Sequence, residues 1–118
     1  MNTAVLLFTQ DDDVHVFASV PMAARWMEAV DVEEGEYVVA YLPDGRRFVP
    51  VTEAGLVRLV PAGDVDEDDL RRRLAAYRER VPTSPATGDA ATFAVETLGW
   101  HASRRWTARI RRLLQRSR

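Results

Sequence analysis

The sequence predicts an α+β fold: an antiparallel sheet of about five strands, a short helix after the first hairpin, and two helices at the C-terminal end. Two observations carry that prediction. Over roughly the first half of the chain, short β-prone runs alternate with turn residues. Beyond it, apolar residues recur every three or four positions behind a strong helix-start signal.

The elements follow in order. "AVLLFT" (Ala4 to Thr9) and "VHVFAS" (Val14 to Ser19) read as two strands joined across "QDDD". In the second, Val14, Val16 and Ala18 point one way and His15 and Phe17 the other. Ser19 is placed to cap a helix with Pro21 in its first turn, and Ala23, Trp26, Met27 and Val30 fall on one helical face. "EYVVAYL" has Tyr37, Val39 and Tyr41 on one face and Val38, Ala40 and Leu42 on the other, so it reads as a central strand with two apolar faces. Pro43, Asp44 and Gly45 form a turn, because proline presets φ and Asp-Gly tolerates the tight hairpin geometry. The return strand "RRFVPV" contains Pro50, which cannot donate to a ladder and so suggests an edge or a bulge. "TEAG" turns the chain into a fifth strand, "LVRLV".

After the sheet, Asp64 and Glu67 stand at capping-box spacing, and Asp66, Asp68 and Asp69 add negative charge at a helix start. Leu70, Leu74, Tyr77 and Val81 form the stripe this helix buries. Two prolines, a glycine and small polar residues mark 82–92 as a loop. In 93–118, Val95, Leu98, Ala102, Trp106, Ile110 and Leu113 recur at helical spacing, with Gly99 a weak point. The expected organisation is therefore a sheet domain with its covering helices over 1–81, a loop over 82–92, and an Arg-rich amphipathic helix over 93–118 packed on the same domain. A chain of 118 residues suits one hydrophobic core.

Composition excludes several classes. At 47% hydrophobic and 29% charged, the chain is too apolar for disorder and too polar for a membrane protein. No apolar run approaches the roughly 18 residues a spanning helix needs, and Met1 to Thr9 lacks the basic start of a signal peptide, so the expected location is cytoplasmic. With Cys 0 there is no disulfide, thiolate nucleophile or Cys-based zinc site.

No catalytic device is visible. The two histidines, His15 in a strand and His101 after Trp100, have no spacing that links them, and each reads as structural or surface-exposed. Asp11, Asp12 and Asp13 lack the spaced ligands, glycine and distal Glu of a calcium loop and read as a solvated hairpin tip. Ser19, Ser84, Ser103 and Ser117 lie in no nucleophile-elbow context, and no glycine-rich phosphate cradle occurs. The expectation is a non-enzyme with no metal and no cofactor.

The net charge of -2 conceals an asymmetry: residues 1–70 hold 15 acidic side chains and 4 Arg, residues 71–118 hold 12 Arg and 3 acids. The plainest reading is mutual neutralisation within the fold. Opposite the last apolar stripe, Arg105, Arg109, Arg112 and Arg116 form a second stripe beside Trp100 and Trp106. Three readings of it stand: a solvated or self-neutralised face, a salt-sensitive contact with nucleic acid or an anionic surface, and a protein-binding or oligomer surface. The overall acidity weighs against nucleic acid.

Val16 to Phe48 also carries a pattern: a strand ending at a serine, a short helix, then Glu28, Ala29, Asp31, Val32, Gly35, Glu36 and Tyr37, then Asp44, Gly45 and Arg46 in a hairpin. It resembles small uncharacterised bacterial proteins similar to the immunity partners of polymorphic toxins. The resemblance covers about a quarter of the chain and excludes the Arg-rich end. It implies a small, cytoplasmic, non-catalytic protein that neutralises a toxin by binding it, and no catalytic residue carries over. Acidic surfaces suit basic partners, so the expected contact set is Asp11, Asp12, Asp13, Asp31, Glu33, Glu34 and Glu36. The alternative is an accessory protein that grips nucleic acid or an anionic surface through Arg105, Arg109, Arg112 and Arg116.

Overall fold

The computed structural model describes residues 4–82 and 89–98. The elements run β1 (Val5–Thr9), β2 (Val14–Phe17), α1 (Val20–Trp26), α2 (Ala29–Glu33), β3 (Tyr37–Tyr41), β4 (Arg46–Glu53), β5 (Leu56–Val65) and α3 (Glu67–Arg80). A further helical segment over 90–98 is α4. The fold is α+β, with a five-stranded sheet in the order β2-β1-β3-β4-β5 and every adjacent pair antiparallel.

Helices cover both faces of the sheet. On one face Leu6, Phe8, Val14, Val16, Val39 and Tyr41 pack against Leu70 and Leu74 of α3 and Phe93 and Ala94 of α4. On the other, Val5, Leu7, Phe17, Ala40, Leu42 and Leu59 pack against Ala23 and Met27 of α1. Every residue of β1 is buried, which explains its unbroken apolar run. As the alternation predicts, Val14 and Val16 join the first cluster and Phe17 the second. β3 is the middle strand, as its two apolar faces require.

Four expectations need correction. The α1 stripe is interrupted, because Met27 takes an extended conformation (φ -74, ψ 141) and starts a second short helix at Ala29. Ala23 and Met27 are buried, while Trp26 and Val30 are exposed. Along β3, Phe8 pairs with Val39 but Thr9 pairs with Tyr37, so Val38 is an extra residue in the ladder. That bulge turns Tyr37 away from the face of Val39 and Tyr41 and into the α1 cluster. β5 continues to Val65, and the α3 cap is therefore Asp66, whose carboxylate accepts from Asp69 N at 3.0 Å, rather than Asp64. Asp64 instead holds Arg47 at 2.9 Å. Finally, residues 90–92 are helical rather than loop, because Asp89 caps α4 by accepting from Thr92 N at 2.8 Å.

Pro50 fits its expectation. The β3–β4 pairing ends at Phe48, so beyond it β4 has β5 alone as a partner and the missing N–H is tolerated there. The β4–β5 hairpin meets the first two helices, α1 against β5 and α2 against β4. Among the described residues, no helix is long and apolar enough to cross a membrane.

Candidate functional site

Part of the acidic half is engaged in ion pairs within the chain. Asp68 pairs with Arg71 at 2.5 Å, Asp69 with Arg73 at 2.8 Å and also with Arg72, and Asp44 with Arg46 at 2.9 Å. These are largely local pairs, made as the acid-rich start of α3 meets its own second turn. Within α3, Asp68 and Asp69 are thus neutralised by arginines one turn away.

The expected contact set divides in two. Asp11, Asp12 and Asp13 form the tip of the β1–β2 hairpin, where Thr9 Oγ1 accepts from the backbone N–H groups of Asp11 and Asp13 at 3.3 and 3.2 Å. Arg80, at the end of α3, donates to the Asp11 carbonyl and sits 3.0 Å from the Asp13 carboxylate. Asp13 is thus partly neutralised by its own chain. Asp31, Glu33, Glu34 and Glu36 lie on α2 and the turn into β3. Together with Glu28, the residue before α2, none of them forms an ion pair among the described residues. Glu33 takes only a long 3.5 Å hydrogen bond from the Thr52 hydroxyl.

The fold sets an aromatic cluster within this charge. Trp26 lies 4.6 Å from the His15 ring, 5.3 Å from Phe17 and 5.8 Å from Tyr37, centroid to centroid. Its indole is nevertheless 43% exposed, as is Met22 one turn earlier on α1. Burial pushes the Tyr37 hydroxyl above its ordinary value, and the charges of Asp31, Glu36 and Glu28 push it further. Burial lowers His15, against the opposing pull of Asp13 and Glu36. Asp13 and Glu36 thus oppose the burial of His15, and Asp31, Glu36 and Glu28 reinforce that of Tyr37, with Glu36 acting on both. A hydrogen bond from Gln10 N to the Glu36 carbonyl at 2.9 Å ties the hairpin to that turn.

Two members of this surface escape sequence reasoning. Trp26 falls on the apolar stripe of a helix read as continuous, and only the break at Met27 leaves it in the open. Glu28 stands among the same acids but within that supposed helix; its clue is a charge beside a stripe that should be buried. Arg105, Arg109, Arg112 and Arg116, with His101, Trp100 and Trp106, lie outside the described residues.

A cleft of about 400 Å³ also lies between α3 and α4, lined by Pro43, Glu67, Leu70, Leu74 and Asp89 among others. The backbone N–H of Thr92 holds the Asp89 carboxyl below its ordinary value, so this group is engaged in capping α4. None of the described residues lining the cleft is a His, Ser or Thr. Among the described residues no group of three His, Asp or Glu side chains is arranged to hold a metal ion.

The fold and surface together define a class: a small α+β domain with an acidic, aromatic-centred face. No family model, curated protein or solved structure matches the chain.

Proposed function

We propose that this chain is a non-catalytic protein-binding domain of the immunity type, acting in the cytoplasm by occupying and neutralising a bacterial toxin. The observation that carries the reading is the acidic set Glu28, Asp31, Glu33, Glu34 and Glu36, which forms no ion pair among the described residues and accompanies exposed Trp26, while Asp68 and Asp69 of α3 are paired. Unpaired surface charge of one sign steers oppositely charged partners and rejects like-charged ones. The resemblance of Val16 to Phe48 to immunity-type proteins points the same way, since the acidic set falls within it.

The test is recovery of partners from host extract with wild-type protein and with a Glu28→Lys, Asp31→Lys, Glu33→Lys, Glu36→Lys variant. The expected result is one stoichiometric protein that survives nuclease treatment and is lost with the variant. Recovery that depends on nucleic acid, or that the variant leaves intact, overturns the reading.

A further inference from the structure

We infer that Trp26 is the anchor of the partner contact, and that the segment it receives is basic and amphipathic, with apolar side chains seated on Trp26 and Met22 and flanking Arg or Lys reaching Glu28, Asp31 and Glu36. This rests on the protein-binding reading and specifies the partner's chemistry.

Three properties of the surface lead there. Trp26 and Met22 stand one turn apart on α1, where i and i+4 are neighbours on one helical face, and both are exposed, 43% each, so that face presents two large apolar side chains. The indole is held against His15, Phe17 and Tyr37, so little rotamer freedom remains for binding to remove. A fixed, half-exposed tryptophan is the residue type that dominates binding energy at interface centres.

The charges then select the occupant. Glu28 follows Trp26 by two residues as the cap of α2, Asp31 lies in the first turn of α2, and Glu36 immediately precedes Tyr37, whose ring meets Trp26 edge-on, so a segment covering the indole passes close to these acids. A purely apolar segment would bury them without counter-charge, at a cost that cancels the apolar gain. An acidic segment would be repelled. A basic segment with no apolar side would leave the tryptophan uncovered and be bound only by screened surface attraction. A basic amphipathic segment meets both demands, and its cations can also stack on the indole face.

The test titrates the full chain with a labelled helical peptide carrying leucine on one side and lysine on the other. Two counterparts, one with glutamate for lysine and one with serine for leucine, serve as controls, and anisotropy of the peptide label is the readout. The expected order is binding by the first peptide alone, weakened about tenfold or more by Trp26→Ala. Because Trp26 also touches Phe17, Met22→Ser, at an exposed position and without added charge, provides a second variant and is expected to weaken binding similarly. Glu28→Gln, Asp31→Asn, Glu36→Gln is expected to weaken binding and flatten its salt dependence. Equal binding of lysine and glutamate peptides overturns the inference. So does unchanged affinity in folded Trp26→Ala and Met22→Ser, and if the triple variant still loses affinity, the acidic contact of the protein-binding reading survives without its anchor.

Discussion

Asp69 shows how a single side chain ties layers together. It lies in the first turn of α3 with its side chain 20% exposed, and it accepts from the Tyr41 hydroxyl at 2.5 Å and from Arg73 Nε at 2.8 Å. Burial alone would raise its pKa, but hydrogen bonds from Tyr41, Arg73 and Arg72 outweigh it and hold the carboxyl down to about 2. The ionised form is thus favoured by folding, so the contribution is complete above the unfolded value of 3.8 and is lost as pH falls towards 2. Wild-type stability is expected to drop by about 2 kcal/mol over that window from this group, and the Asp69→Asn variant to lack that part of the slope in denaturant titrations at each pH. Tyr41→Phe removes a donor to this nearly buried carboxylate and is expected to cost about 1.5–3 kcal/mol at neutral pH, read from the urea midpoint. The partners are 28 residues apart. Sequence reading placed Tyr41 on an inward face and Asp69 in a helix start, but a hydroxyl meeting a carboxylate across that separation has no local signature.

At the scale of elements, the local devices are where the sequence is most legible. Ser19 caps α1 by accepting from Met22 N at 3.3 Å, and Ser19→Ala is expected to cost about 1 kcal/mol in thermal or chemical unfolding. The Pro-Asp-Gly turn forms as composition requires, with Gly45 at φ +91. Its second constraint is tertiary: a Cβ there would stand 2.7 Å from Glu67 Cγ and 3.1 Å from the backbone N of Glu67, where α3 begins. Gly35, at φ +78, has open space around it. Gly35→Ala is therefore expected to cost about 1–2 kcal/mol for its backbone alone, and Gly45→Ala more, because α3 must also shift. Equal costs in paired denaturation curves would show that α3 yields freely. The elements misjudged from sequence fail for non-local reasons. The α1–α2 break and the end of β5 depend on what the chain packs against, since α1 lies over β5 and Arg46 pairs with Val65.

Across the whole molecule, charge is sorted by purpose. Asp68 and Asp69 pair with arginines of their own helix, Arg80 returns to the hairpin tip, and the α2 carboxylates form no ion pair among the described residues. Groups kept for a partner contribute little to the fold, so Glu33→Gln, Glu34→Gln is expected to change stability by no more than about 0.5 kcal/mol. The same variant should weaken partner binding in the recovery assay. The sequence by itself determined the presence of five strands, the alternation of β2, the central place of β3, the Ser19 cap and the acidic character of 28–36, because these follow from side-chain periodicity, fixed φ preferences and composition. Only the tertiary structure decided that β3 lies beside β1, that the extra residue Val38 turns Tyr37 towards Trp26, and that Asp13 meets Arg80 while Asp31 and Glu36 form no ion pair among the described residues. Strand order, bulge register and ion pairing are settled by which surfaces fit when distant segments meet, and that fit is a property of the assembled layers.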